Sequence, residues 1–176
     1  MTQTVFANTM VAHVWAQGSQ AHGRSHNGNF YFDGRILYSY GSHFAVGVLM
    51  NDGAAVLNSD KYSISTSGMQ SDALQAVKGE RVHVPALQDI ARDLSRIANN
   101  VAAKSPDAVA AIIRHIETHA AAMSIKAGVY HWQEEPAGEG DETRADRLLR
   151  FCGIPKARAS AAIKRGLAKA AKRAKA

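Results

Sequence analysis

The 176-residue chain predicts an α+β fold: an N-terminal helix, an antiparallel meander of about five strands, a two-helix hairpin covering the sheet, then a short helix and a basic helical or disordered tail. Three observations carry this. Aromatic, β-favouring runs flank turn dipeptides between Asn29 and Asn58. After Pro85 the apolar residues recur at three and four, the period of a helix. From Lys156 onward the composition shifts to alanine and base.

Asn8 suits the N-cap of a first helix whose face carries Met10, Val11, Val14 and Trp15, with Gly18 and the run Gly23 to Gly28 ending it. Asn29 to Tyr40 holds two aromatic runs around Asp33-Gly34, which predicts a type I′ hairpin turn. Phe44 to Met50 and Ala54 to Asn58 repeat this logic around Asn51-Asp52-Gly53, and the alternation in Tyr62 to Ser67 predicts a fifth strand. Ser71-Asp72 reads as the cap of a short helix through Val77, closed by Lys78-Gly79.

Leu87, Ile90, Leu94, Ile97 and Val101 then define one helix. Val109, Ile112, Ile113, Ile116, Ala120 and Met123 define a second, with a break at Ser105-Pro106-Asp107. The chain thus divides into an α+β domain over 1–133 (helical hairpin 85–127), an acidic linker over 134–142, and a helical arm with a basic tail over 143–176. The tail's stripe of Ile163 and Leu167 predicts a conditional helix with too little apolar surface to hold it to a core, and Gly166 weakens it by about 1 kcal/mol relative to Ala.

The formal charge of +6 is unevenly placed. Lys156, Arg158, Lys164, Arg165, Lys169, Lys172, Arg173 and Lys175 are followed or separated by no acid, so the preceding residues hold 13 basic (21 less 8) and 15 acidic groups, a net of −2. Attraction to nucleic acid is therefore expected to lie in the tail, where these eight residues would neutralise phosphates. A solubilising end would have the same composition. One cysteine, Cys152, excludes an internal disulfide, and no apolar run near 18 residues suggests a membrane span. The expected setting is cytoplasmic, with no membrane partner and an oligomeric state that sequence leaves open.

Residues 13 to 43 concentrate imidazoles, amides, hydroxyls and a guanidinium with no carboxylate before Asp33. His13, His22 and His43 are candidates for general acid and base, since imidazole titrates near neutral pH. Arg24, Asn27, Asn29, Tyr31, Tyr38, Tyr40 and Ser42 are candidates for holding a phosphate or stacking a base. The same residues also suit a polar loop entering a hairpin. His115-Ile-Glu-Thr-His119 is similar to a zinc-protease helix only superficially, because Glu117 lies about 200° around the helix from either histidine. Both histidines are expected to be boundary residues; neither metal nor cofactor is expected.

The strings Val-Ala-His13-Val-Trp-Ala-Gln17, Ser19-Gln20, Arg24-Ser25, Asn27-Gly-Asn-Phe-Tyr-Phe32 and Tyr38-Ser-Tyr-Gly-Ser-His-Phe44, with Tyr62-Ser63 and Thr66-Ser67, resemble a family of uncharacterised small proteins encoded by phages, prophages and plasmids. The resemblance covers about residues 8–80 and excludes the tail. It implies a mobile-element context in a host cytoplasm. Two functions are then expected as alternatives: a non-enzymatic accessory protein binding nucleic acid or a host nucleoprotein, or a small metal-independent phosphate-ester hydrolase or nuclease using the histidines. An inhibitor of a host protein is not separable from the first.

Overall fold

The computed structural model describes residues 3–99, 106–127 and 142–175. Seven strands stand in chain order in one sheet: β1 (Val5–Phe6), β2 (His22–Ser25), β3 (Phe30–Asp33), β4 (Ile36–Ser39), β5 (Ala45–Leu49), β6 (Ala55–Asn58) and β7 (Arg81–Val84). The central strands β2 to β6 form an antiparallel meander, while β1 and β7 add parallel edges. A parallel neighbour needs a helical crossover. Helices α1 (Asn8–Gln17) and α2 (Ile64–Ala76) supply the two crossovers.

The sheet is covered on both faces, not on one. Trp15, Phe30, Phe32, Leu37, Val46, Leu57, Met69 and Ala73 form one buried cluster with α1 and α2. On the other face Ile36, Tyr38, Val48, Val56, Val82 and Val84 pack with α3 (Ala91–Ala98), α4 (Pro106–Thr118), α6 (Arg144–Phe151) and α7 (Ala157–Ala174). The small α5 (Ala120–Met123) adds Met123. Trp15, 1% exposed, donates its indole N–H to the Arg35 carbonyl at 2.8 Å, and its loss to Ala costs about 3–5 kcal/mol.

Several expectations change. The first helix is capped at Ala7 without a side-chain bond, and Met10 is 46% exposed while Ala12 is buried in its place. Gly18 ends the helix in the left-handed conformation, but the segment beyond it is strand β2, not only a loop. Asp33 pairs with Ile36 as a strand residue, so the hairpin turn is Gly34-Arg35, with positive φ at Gly34 alone and not at both residues as a type I′ turn requires. Arg35 closes it by donating to Asn99 and to the Leu49 and Met50 carbonyls.

The expected strand at Tyr62 to Ser67 is the start of α2. Ser63 is extended and its Oγ accepts from the Thr66 N–H at 3.1 Å, an N-cap that commits the following residues to helix. The apolar half of the apparent alternation was not burial: Ile64 is 94% exposed, and it is Thr66 that is buried, bonded to Ser39.

The tail is also different. Leu148 and Leu149 of α6 and Ala159 and Ala162 of α7 belong to the same buried cluster as the sheet. Gly166, expected only to weaken the helix, is the point of closest approach: a β-carbon there would overlap the Glu117 carbonyl oxygen and lie 2.6 Å from Ala120 Cβ. Small residues let α7 dock where large apolar ones were sought. Glu117 further accepts from Arg165 at 3.0 Å and pairs with Lys169. Val101 and the acidic segment up to Asp141 lie outside the described residues.

Candidate functional site

Cross-strand register aligns Arg24 on β2, Tyr31 on β3 and Tyr38 on β4. Directly opposed residues share a face. Gly23, the neighbour of Arg24, faces Phe32 and Phe6 on the α1–α2 side, so the Arg24 row lies on the other. There α3 lies over β4 and β5, and β2 and β3 are left open: His22, Arg24 and Asp33 are exposed, and Tyr31 is half-buried. The tyrosine rings stack at 5.2 Å between centroids with planes 24° apart.

The next rung pairs His22 with Asp33, His22 Nδ1 lying 3.1 Å from Asp33 Oδ1. Burial raises both phenols above the ordinary tyrosine range; Asp33 adds to this at Tyr31, and Tyr31 at Tyr38, where Arg92 on α3 acts the other way. Both rings are therefore neutral near pH 7. The result is a polar-aromatic shelf: the half-buried Tyr31 ring, backed by buried Tyr38 and bordered by Arg24, exposed Arg92 and a His–Asp pair.

Other residues of the 13–43 segment have different places. Asn27 Oδ1 accepts from Ser25 Oγ at 2.7 Å and from the Asn29 N–H at 3.1 Å, which closes the β2–β3 loop, and the Asn29 carbonyl accepts from Tyr40 N–H. Tyr40 takes φ +52, and Ser42 and His43 follow it, exposed, in the β4–β5 loop. The His43 ring sits 6.3 Å from that of Tyr62, edge to face. His13 is exposed on α1 and acts on Asp72 of α2, whose carboxyl is raised by burial and drawn back by that imidazole. His13 and His22 thus lie on opposite sides of the sheet. Among the described residues no hydrogen bond, ion pair or ring contact joins any two of His13, His22 and His43.

Basic side chains on α7 are arranged around its docking stripe. Ala159, Ala162 and Gly166 face the core, and at 100° per residue six of the seven basic positions from Arg158 to Lys175 fall outside that stripe, while Arg173, seven residues after Gly166, continues its line beyond the docked turns. Lys156 lies 3.6 Å from Asp146, while Arg165 and Lys169 meet Glu117. Arg158, Lys164, Lys172, Arg173 and Lys175 are exposed and have no acidic partner among the described residues. From Leu167 onward every described residue of the helix is exposed, so the charged end projects beyond the docked turns.

His115 and His119 are not boundary residues of one kind. His115 is 5% exposed and His119 half-buried, their rings 4.6 Å apart. Glu117 does point away from both, as its helical angle requires, toward α7. Cys152 is partly buried, with a thiol pushed up to about 12 by burial, so it offers no thiolate nucleophile.

Sequence reasoning offers Asp33, with Asp52 and Asp60, as an acid that could orient a histidine but does not pair it with His22, and it misses Arg92 beside Tyr38 and Asp89 near His115. The pairing was within reach, since counting back from the hairpin turn sets Asp33 opposite His22 once β2 is recognised. The others come from elements far along the chain and leave no local spacing. Comparison with protein-family models, with curated proteins and with solved structures returns no match.

Proposed function

We propose that the protein is a non-enzymatic nucleic-acid-binding protein, with α7 supplying electrostatic affinity and the Arg24–Tyr31–Tyr38 shelf stacking unpaired bases. The observation that carries this reading is the segregation of charge on α7. Five exposed cations without acidic partners among the described residues are ranged on one docked helix and its C-cap, while the chain before Lys156 is slightly acidic. Because α7 is docked as far as Gly166, its charged end projects from a fixed support and part of the ordering entropy of those charges has already been spent in folding. Stacking on the shelf favours single strands, and Arg24 and Arg92, beside the two tyrosines, supply positive charge for the backbone of a stacked strand. The phage-like resemblance of residues 8–80 supports a mobile-element role, the target being nucleic acid free or within a host nucleoprotein.

Binding of fluorescent single-stranded and duplex oligonucleotides, followed by anisotropy across a salt series, tests the reading. Five phosphate contacts predict a log–log slope of about −3.5 on single strands. Affinity independent of salt would rule out the role given to α7.

The pair His22–Asp33 supports a second reading, phosphate-ester hydrolysis with His22 as the base and Asp33 orienting it. It requires no other histidine. Hydrolysis of a phosphodiester that disappears in both His22→Ala and Asp33→Asn would establish it; turnover surviving both would dismiss it.

A further inference from the structure

The buried side of α4 carries an orphaned ligand. His115 Nε2 is fully buried and has no hydrogen-bond partner among the described residues. Leaving a buried polar nitrogen unpaired costs about 1–3 kcal/mol, so such an atom calls for a reason. The Pro85 carbonyl lies close enough to interact with the same imidazole. A carbonyl held by one ring nitrogen leaves the other to bind a metal, the arrangement a metal-ligating histidine requires.

Two further donors meet it. His119 follows one turn later, its N–H donating to the His115 carbonyl at 3.0 Å, so both rings emerge on one side. Asp89 arrives from the short 3-10 turn Leu87–Asp89. Its carboxylate and one ring nitrogen from each histidine all lie within 4.8 Å of one another. Tetrahedral ligands on a zinc ion stand about 3.3 Å apart, given bonds near 2.0–2.1 Å, so the three need to close by at most about 1.5 Å. The support beneath Asp89 is built rather than loose: Ala86 takes a left-handed φ of +47, its N–H donates to Asp60 Oδ2 at 2.9 Å, and its carbonyl accepts from the Asp89 N–H at 3.0 Å.

We propose that His115, His119 and Asp89 form a binding site for one divalent transition-metal ion of the zinc class. Two imidazoles and one carboxylate select such an ion over magnesium or calcium, which favour oxygen-only sets. Because Asp89 is exposed and His119 half-buried, the remaining coordination position faces solvent and takes water, as in zinc sites that act on substrates. This site is separate from the α7 surface and from the shelf, and it stands or falls independently of the function proposed above.

The test uses the full chain, stripped with chelator and titrated with zinc(II), with cobalt(II) as the spectroscopic probe and magnesium as the comparison. One zinc per chain, visible cobalt bands of a four- or five-coordinate site, and a raised melting temperature are expected, with no response to magnesium. Asp89→Asn, a change at an exposed position, and His119→Ala should each weaken zinc by tenfold or more, while His26→Ala in the β2–β3 loop should leave it unchanged. Absence of stoichiometric zinc binding would overturn the proposal. So would binding that Asp89→Asn and His119→Ala both leave intact.

Discussion

Gly166 on α7 lies against the backbone of Glu117 on α4 so closely that a β-carbon would overlap the Glu117 carbonyl oxygen. The docking of the basic helix depends on that missing side chain. Helix propensity alone makes Gly166→Ala stabilising by about 1 kcal/mol. Steric exclusion predicts the reverse: a net loss of roughly 1–3 kcal/mol by chemical denaturation, with faster amide exchange in α7. A stabilised variant would mean that α7 is not held on α4.

Ser63 decides a helix that local alternation makes look like a strand. Its Oγ accepts from Thr66 N–H, so Ser63→Ala should lower stability by about 1 kcal/mol, measured as a shifted denaturant midpoint. Ser65, in the first turn and without a capping bond, serves as the comparison, and Ser65→Ala should have little effect.

Acid sensitivity should come from buried histidines. Burial above all, and then His119, holds His115 down to about 4, against the pull of Asp89, the Pro85 carbonyl and Asp60; burial, Arg144 and Arg81 hold His83 down to about 3. Folded values below the unfolded 6.5 mean that the unfolded chain takes up protons first. Stability is then fully present above pH 6.5 and falls as pH drops toward the folded values, by roughly 2 kcal/mol at pH 5 for His115. Glu80, Glu117 and Glu142, held below the ordinary glutamate value of 4.5 by bonds to arginine and lysine, begin to lose their stabilisation only as pH falls below about 4.5, under the pH 5 of the comparison. Denaturant midpoints of metal-free protein at pH 7 and 5 check this. Equal midpoints would contradict it.

Much of this was legible in the residues, for identifiable reasons. The meander from Phe30 to Asn58 could be read because turn residues and aromatic runs are local signals. β2 was hidden because His-Gly-Arg-Ser has almost no strand propensity, and it pairs only because Gly23 leaves room for the Phe32 ring. The docking of α7 was hidden because a stripe of alanine and glycine looks like absent hydrophobicity when it is close packing. Concentration of polar residues in 13–43 was real in sequence but divided in space, since β-strand alternation and the α1 crossover send His13 and His22 to opposite sides of the sheet. What remains together is the row that register, not proximity in sequence, aligns.

The shelf's contribution should be separable from charge. Tyr31→Ala is expected to weaken single-strand binding by about 1–3 kcal/mol with the salt slope unchanged, and to affect duplex binding little. Equal losses on single and double strands would assign Tyr31 to structure, not to stacking.

The most direct test of the account is the salt slope of the full-length protein beside a variant in which Lys164, Lys172, Arg173 and Lys175 become Gln. Truncating the tail is unsuitable, because Ala159 and Ala162 would leave the core with it. Removing four phosphate contacts should reduce the magnitude of the log–log slope on single-stranded oligonucleotide by about 3 and nearly abolish binding at physiological salt, with the melting temperature little changed. An unchanged slope and affinity in that variant would contradict the claim that α7 is the nucleic-acid-binding surface.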